Sequence, residues 1–365
     1  MSPHLLSLWL LACAFLSGLA GLVYEVVWLR EVGLQFGNTL SATGTVLAVF
    51  MAGMALGSVW LGQRADRTER PLGLYAGLEV GIGLSALLVP AGLRLIDHAG
   101  LLLFPNFLGL VVPLSVLVLL VPAVGLGGTL PVLARCLPPG SSHSRSTPGR
   151  LYGLATLGAA SGACLAAFVL LPSLGSWQTT VTAALINGLV GVGCFLLRDK
   201  ALSVEAPARP PARHTPQPAT ALSPWVVLVC LGLSGYAALL YEVVWTRLLG
   251  LILENTVYAF SLMLSTFLLS LALGSFISTR LPATSSPATL LGGSQWAVAL
   301  SSLLGVLPLS SLAWLVYQTY AGGDWGDSWL VFLATQTALC ASVMLLPTIF
   351  LGMAFPLAWR QLSGQ

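Results

Sequence analysis

YEVVWLR at residues 24–30 decides the fold of this chain, because YEVVWTR returns at residues 241–247. The match is longer than the heptapeptide: residues 17–63 align without a gap on residues 234–280, and 21 of these 47 positions are identical. Self-similarity over this length indicates an internal duplication. Each copy places a glutamate and an arginine at the end of a long apolar run, where an ionisable side chain is costly in lipid and is a functional candidate.

The composition excludes a water-soluble protein. Hydrophobic residues make up 56% of the chain, charged residues only 7%, and the mean hydropathy is +0.90. Soluble domains carry roughly 25% charged residues, so this chain cannot cover a water-facing surface. The composition predicts a polytopic membrane protein whose main partner is the lipid bilayer, and no nucleic-acid partner is expected.

Ten apolar runs approach the length of about 20 residues that a helix needs to cross a bilayer. They predict an all-α fold of about ten transmembrane helices, six in a first half (1–198) and four in a second half (223–365). The Pro- and Ala-rich segment 199–222 between them is expected to be a disordered linker. The predicted spans are 5–29, 39–62, 72–96, 107–134, 151–171, 177–197, 224–249, 256–279, 287–315 and 329–358.

The positive charges predict the orientation of these spans. With the N-terminus inside, 12 of the 15 Lys and Arg residues fall in inner loops or at inner helix ends. This bias follows the positive-inside rule. It places both termini and the linker in the cytoplasm.

The duplication extends to the fourth helix of each copy. Residues 121–135 align on residues 346–360 through Pro, Gly, Pro and Arg at matching positions, so helices 1–4 and 7–10 are copies. Two helices, the fifth and sixth, lie between the copies and keep them in the same orientation. This arrangement predicts a parallel repeat like that of the two major-facilitator halves.

The repeated acid lies between two aromatic residues and has two interpretations. An acid beside aromatic faces suits a cationic or amine ligand, or it could carry a proton. Alternatively, Tyr and Trp anchor the helix at the membrane interface while Glu bonds to another helix. The candidate substrate-binding residues are Tyr24, Glu25, Trp28, Tyr241, Glu242, Trp245 and, in the third helix, Glu79.

Glu79 lies inside the third predicted span, and its counterpart in the second copy is Gln295, with a one-residue gap. A glutamate at that depth is neutral, paired or in contact with water. It therefore has two interpretations, proton coupling or a structural hydrogen bond. Arg30, which follows the first repeated acid, is expected to extend outward along the helix toward the interface, and Arg30 and Arg247 are both expected to have structural roles.

Residues 62–67, GQRADR, resemble the inner-loop motif that follows the second helix of major-facilitator proteins. The resemblance implies that Gly62 permits a tight turn and that Asp66 and Arg67 clamp the loop to neighbouring helices. These are structural roles. No nucleotide-binding, metal-binding or catalytic motif is visible, so we expect no cofactor, no metal and no catalytic residue.

Several motifs together resemble one family. They are the paired YEVVWxR segments, GNT at 37–39, ALGS at 55–58 and 272–275, the P…G…PxxxR helices, and the segment from GRLYG at 149–153 to LPSLG at 171–175. In combination they are similar to the membrane region of bacterial spermidine-synthase-like fusion proteins, the fused major-facilitator/spermidine synthase family. The resemblance implies a multi-pass protein of the bacterial inner membrane.

In that family a soluble aminopropyltransferase-like domain follows the membrane region, and no such domain occurs up to Gln365. We therefore expect no aminopropyltransferase activity from this chain. Two functions remain open, besides the possibility that the protein itself belongs to an enzyme. The first is a transporter-like protein that handles a small amine or polyamine-type metabolite. The second is a membrane anchor or scaffold for a separately encoded aminopropyltransferase- or methyltransferase-like enzyme.

Overall fold

The computed structural model describes residues 3–36, 40–103, 108–137, 147–202, 223–253, 256–282, 286–307, 314 and 329–363. These residues form an all-α structure without a strand. Helices α1 to α4 are Pro3–Phe36, Leu40–Arg67, Pro71–Leu103 and Leu108–Arg135, and α5 and α6 are Thr147–Leu165 and Leu171–Leu202. Helices α7 to α11 are Pro224–Leu253, Val257–Arg280, Pro287–Val306, Trp329–Gly352 and Ala354–Ser363.

Nine helical segments within the described residues are long and apolar enough to cross a membrane. This confirms the polytopic all-α class. One of the nine, Pro148–Arg198, has 51 residues, which is enough for two crossings of about 20 residues each. It contains both the fifth and the sixth predicted span.

Gly175 divides this long segment. Its φ of 76° and ψ of 175° lie outside the helical region, in a conformation that only glycine adopts without strain. A single π-helical turn, Ala166–Leu170, joins α5 to α6 just before it. The break falls between the predicted spans 151–171 and 177–197.

The chain forms two compact units. The first is Met1–Pro139 with Ser161–Ala206, and the second is Gly140–Ala160 with Pro207–Gln365. Residues of α5 up to Ala160 belong to the second unit, where the Ser275 hydroxyl donates to the Gly149 carbonyl oxygen at 2.8 Å. The division into residues 1–198, 199–222 and 223–365 stays a prediction, and residues 203–222 lie outside the described residues.

Both units contain the same helix crossing. In the first unit, a Cβ added to Gly57 of α2 would lie 1.8 Å from the carbonyl oxygen of Val124 in α4. In the second unit, a Cβ on Gly274 of α8 would lie 1.9 Å from the carbonyl oxygen of Ile349 in α10. These four residues occupy matching repeat positions, so the duplicated glycines let paired helices meet at backbone distance.

The interpretation of GQRADR requires one correction. Helix α2 continues to Arg67, so Gly62 does not form a tight turn. A helical Gly62 instead brings α2 close to Pro131 of α4, whose Cβ would lie 3.5 Å from an added Cβ. The chain leaves the helix at residues 68–70. The GNT segment at 37–39 lies outside the described residues.

Candidate functional site

The first unit contains a chain of buried hydrogen bonds that joins three helices. The Tyr24 hydroxyl of α1 donates to Asn187 Oδ1 of α6 at 2.8 Å. Asn187 Nδ2 donates in turn to Glu79 Oε2 of α3 at 2.5 Å. All three side chains are fully buried. Two of the sequence-predicted residues, Tyr24 and Glu79, are thus brought together by a third residue.

Two hydroxyl groups lie beside the Glu79 carboxylate, on Ser17 of α1 and Tyr75 of α3. Both are within reach of it, but neither has the geometry of a hydrogen bond. Ser17 Oγ, Tyr75 OH and Glu79 Oε1 are all buried without a hydrogen-bond partner among the described residues. Leaving a buried polar atom unpaired costs roughly 1–3 kcal/mol. We call Ser17, Tyr24, Tyr75, Glu79 and Asn187 the polar centre.

An aromatic ladder lies next to the polar centre. The rings of Tyr24 and Trp28 stack with centroids 5.7 Å apart and an interplanar angle of 13°. Trp28 then meets the ring of Phe50 on α2 edge-on, at 6.2 Å. Stacked and edge-on pairs contribute about 0.5–1.5 kcal/mol each beyond the burial of their surface. The ladder therefore holds α1 against α2.

The second unit repeats this ladder at matching positions. Tyr241 stacks on Trp245 with centroids 4.9 Å apart, and Trp245 meets Phe267 edge-on at 6.4 Å. Phe267 is the repeat counterpart of Phe50. The sequence alone does not indicate that these rings form one ladder, although both phenylalanines are among the identical positions.

The two repeated glutamates are both buried. Glu25 is 3% exposed and Glu242 is 6% exposed. Gln295, the counterpart of Glu79, is only partly buried, and its Nε2 donates to Ser294 Oγ at 3.4 Å. The second unit therefore has the repeated aromatic pair and acid, but it has an amide where the first unit has a buried carboxylate.

The repeated arginines differ in their surroundings. Arg30 is half-buried, and its Nη1 donates to the hydroxyl of Ser176 at 3.1 Å. Ser176 directly follows the break at Gly175, so Arg30 ties α1 to the start of α6. Arg247 is exposed. The outward direction expected for Arg30 stays a prediction.

Asp66 has a partner at the same end of the first unit. Arg135 Nε of α4 lies 3.8 Å from Asp66 Oδ1. This ion pair gives Asp66 a contact with a neighbouring helix, as the major-facilitator resemblance implies. Among the described residues, no partner is seen through which Arg67 could clamp the loop to a neighbouring helix. The same residues contain no group of three or more His, Cys, Asp and Glu side chains arranged to hold a metal ion.

Asn187 is the functional candidate that sequence reasoning missed. It lies within the predicted span 177–197, where a carboxamide in lipid-spanning sequence is itself a signal of a polar contact. Its partners are 163 and 108 residues away in the chain, and α6 has no repeat counterpart within residues 1–365. The sequence therefore gave no direct indication of the pairing.

Comparison with known proteins gives a distant relative but does not establish a family. No protein-family model matches the chain. A polyamine aminopropyltransferase from Corynebacterium efficiens is 29% identical over 206 residues, which cover 52% of this chain and 36% of that protein. The chain thus aligns with about a third of the length of this relative. This multi-pass helical chain is therefore similar to a part of a polyamine-related protein.

Proposed function

We propose that this chain is a membrane transporter for a small amine of the polyamine type and that Glu79 is the charged centre of its binding site. The observation that carries the proposal is the burial and hydrogen bonding of the Glu79 carboxylate. It is fully buried between helices, one oxygen accepts from Asn187, and the other has no hydrogen-bond partner among the described residues. A carboxylate at such depth is a marker of a substrate or proton pathway.

The chemistry around that oxygen suits an ammonium group. A primary ammonium has three N–H donors and no acceptor. Glu79 Oε1 and the hydroxyl oxygens of Ser17 and Tyr75 are three neighbouring acceptors that have no hydrogen-bond partner in the part of the chain that the structure describes. One protonated amine could satisfy all three, and its positive charge would offset the buried negative charge. An anionic or neutral apolar metabolite would leave these atoms unsatisfied.

The aromatic ladders supply further contacts for a cation. Tyr24 of the polar centre stacks on Trp28, and an alkylammonium is attracted to such faces by roughly 0.5–2 kcal/mol. Glu25 is proposed as a second carboxylate for this amine. Tyr241, Glu242 and Trp245 are proposed as a separate amine contact within the second unit. A polyamine, unlike a monoamine, carries more than one charge to be neutralised.

The polar centre is closed to solvent, because Glu79, Tyr24 and Asn187 are fully buried. An amine reaches Glu79 only when α1, α3 and α6 move apart. Transporters that alternate access around a site at the membrane midplane work in this way. A protein that merely anchors a soluble enzyme has no need for an unpaired carboxylate oxygen in its core.

The test is uptake and binding of radiolabelled spermidine and putrescine by the purified chain in proteoliposomes. We expect saturable binding and uptake by the natural chain. Glu79→Gln keeps the shape of the side chain but removes its charge. Since a hydrogen bond to a charged group contributes about 1.5–3 kcal/mol, binding should weaken about tenfold or more.

Glu31→Gln is the matched control, because it removes a carboxylate from α1 outside the polar centre. This variant should bind and transport as the natural chain does. Thermal unfolding in detergent is measured for both variants, so that a folding defect is recognised. Normal uptake by a folded Glu79→Gln variant, or no uptake of any polyamine by the natural chain, would contradict the proposal.

The similarity to a polyamine aminopropyltransferase supports a second candidate, the anchor or scaffold for a soluble enzyme of that kind. The discriminating experiment is co-purification of the chain with a separately encoded aminopropyltransferase-like protein from the native membrane. Under this function Glu79→Gln would leave complex formation unchanged, while substitutions in the cytoplasmic loops would weaken it.

A further inference from the structure

The hydrogen bonds around Asn187 determine which oxygen of Glu79 can hold a proton. The Tyr24 hydroxyl donates to Asn187 Oδ1, so the amide is oriented with its Nδ2 donor toward Glu79 Oε2. Glu79 Oε2 is therefore an acceptor. The other oxygen, Oε1, is buried and has no hydrogen-bond partner within the described residues. A proton on this carboxyl group is thus held by Oε1.

One hydrogen bond is too few to hold a charge on Glu79. Its side chain is fully buried, and a buried carboxylate without compensating partners takes up a proton instead of staying charged. Carboxylates that stay ionised when buried accept several hydrogen bonds or have a cation beside them. Among the described residues, Glu79 accepts one hydrogen bond, from a neutral amide. The amine-free chain therefore holds Glu79 in its neutral form.

Within the described part of the chain, no cation faces this carboxyl group from the helices packed around it. The titratable groups that interact with it are two hydroxyls and two thiols, on Tyr24 and Cys13 of α1, Tyr75 of α3 and Cys194 of α6. Tyrosine and cysteine side chains are largely uncharged at pH 7. Helix α4 also packs on α3, and its one titratable side chain, Arg135, pairs with Asp66. An ionised Glu79 would thus be unbalanced.

The second unit has an uncharged group at the same repeat position. Gln295 is the counterpart of Glu79, and a glutamine amide is close in shape to a protonated carboxyl group. Its Nε2 donates to Ser294 Oγ at 3.4 Å. The scaffold shared by the two copies therefore accommodates a neutral side chain here. Only the first copy has a group that can change its charge at this position.

We propose that Glu79 exchanges a proton for an ammonium group, so that polyamine transport is coupled to proton movement in the opposite direction. This inference rests on the proposed transport function. An ammonium group at the polar centre donates to Glu79 Oε1 and to the hydroxyl oxygens of Ser17 and Tyr75. A proton on Oε1 is itself a donor and occupies the position that the ammonium group requires. Proton and amine therefore compete for one oxygen.

The exchange conserves charge. The O–H bond of the Glu79 carboxyl group breaks, its proton leaves to water, and the resulting carboxylate pairs with the protonated amine. One positive charge replaces another, so the buried site is neutral both before and after the exchange. Since an unpaired buried charge is costly, α1, α3 and α6 can close around the proton or around the amine, but not around an empty carboxylate.

The first test measures the protons released when putrescine binds to the purified full chain in weakly buffered detergent solution. A pH indicator dye should report about one proton for each putrescine bound. Because a proton leaves on binding, the affinity should rise with pH, by about tenfold per pH unit while Glu79 of the free chain is protonated. Putrescine itself stays charged in this range, since alkylammonium groups lose their proton only at about pH 10.

Glu79→Gln separates the proton from the binding energy. This variant should bind putrescine about tenfold more weakly. At saturating putrescine it should release no proton, and its affinity should not change with pH. Glu31→Gln is again the matched control outside the polar centre, and it should release the same proton as the natural chain.

The second test follows transport in proteoliposomes whose membrane potential is held at zero with valinomycin and potassium. An acidic interior should accelerate putrescine uptake by the natural chain, and a dye outside should report protons that leave as putrescine enters. Protein-free vesicles give the background from passive diffusion of the amine.

The outcomes separate this inference from the transport proposal. Putrescine binding and uptake without proton release or pH dependence would overturn the exchange and leave the transport function intact. Proton release that persists in a folded Glu79→Gln variant would also overturn it. If the natural chain binds no polyamine at any pH, the transport proposal fails, and the exchange fails with it.

Discussion

The two units share an aromatic ladder and a glycine crossing but differ in what lies between their first and third helices. In the first unit, Asn187 of α6 joins Tyr24 to a fully buried Glu79. In the second unit, the corresponding Tyr241 and Gln295 are only partly buried. The duplicated residues thus build a common scaffold. The polar centre depends on α6, which has no second copy within residues 1–365, and on one acid that Gln295 replaces in the second copy.

The glycine crossing should show the largest effect on stability, and to similar extents in both units. Gly57→Val and Gly274→Val place a branched side chain where even a Cβ lies within 2 Å of a backbone oxygen. No side-chain rotation relieves this contact, so the helices must separate, at a cost above the roughly 1–3 kcal/mol typical of overpacking. We expect severe loss of folded protein, measured by size-exclusion chromatography and thermal unfolding in detergent.

Gly44 and Gly235 are the matched controls, because an added Cβ at either position meets nothing within 4 Å. Gly44→Val and Gly235→Val keep the same chemical change at an uncrowded helix position. Both should unfold near the natural temperature. If only one of Gly57→Val and Gly274→Val fails to fold, the glycine crossing contributes unequally to the stability of the two units. That result would contradict a shared scaffold.

Asn187 should be the next most sensitive position. Asn187→Leu keeps the size of the side chain but removes both hydrogen bonds, so the Tyr24 hydroxyl and Glu79 Oε2 lose their partner. Unsatisfied buried groups of this kind cost about 1–3 kcal/mol, and more when charged. Thermal unfolding should therefore shift clearly downward, whereas Gln295→Leu in the second unit should shift it by less.

The double variant Asn187→Leu with Glu79→Leu sharpens this test. It replaces an acid and its amide partner by apolar side chains, and such paired replacement is often neutral or stabilising. We expect it to recover part of the stability that Asn187→Leu alone loses. If the double variant is as unstable as the sum of the two single variants, the two residues do not act as a pair.

Much of the scaffold is predictable from the sequence, because the residues that build it occur in both copies of the duplication. The position of the glycine crossing follows from Gly57 and Gly274 in register, and the all-α class follows from composition. The polar centre is not predictable in this way, since Asn187 has no copy and its partners are distant in the chain. The turn expected at Gly62 was wrong because α2 remains helical past the apolar run, where polar residues also favour helix.

The repeated glutamates should affect function more than stability. Glu25→Gln and Glu242→Gln keep shape and hydrogen-bonding capacity but delete a negative charge. If these residues bind a cation, polyamine uptake should fall about tenfold for Glu25→Gln, since charge-assisted bonds are roughly twice as strong as neutral ones. We expect a smaller fall for Glu242→Gln, because the second unit has no acid at the position of Glu79.

Expression and thermal unfolding of both Gln variants should stay close to those of the natural chain. Full uptake by the double variant would remove the proposed binding role. If folded protein is lost to the same extent as uptake, both glutamates instead act in helix packing and anchoring. The comparison of the two variants decides whether the units contribute unequally to function.

The smallest effect is expected at the arginines that end the fourth helix of each repeat. Arg135 lies 3.8 Å from the Asp66 carboxylate, with side-chain exposures of 44% and 76%. Its counterpart Arg360 donates to the carbonyl oxygen of Pro282 at 3.1 Å. Exposed ion pairs contribute about 0–1 kcal/mol and are screened by salt.

Arg135→Gln should therefore lower the unfolding temperature slightly in dilute buffer and have no effect at 1 M salt. Arg360→Gln removes a bond to a neutral oxygen, and the part of its effect that comes from this bond should persist at 1 M salt. The same salt response in both variants would show that the two contacts are alike after all, although one partner is a carboxylate and the other a backbone carbonyl.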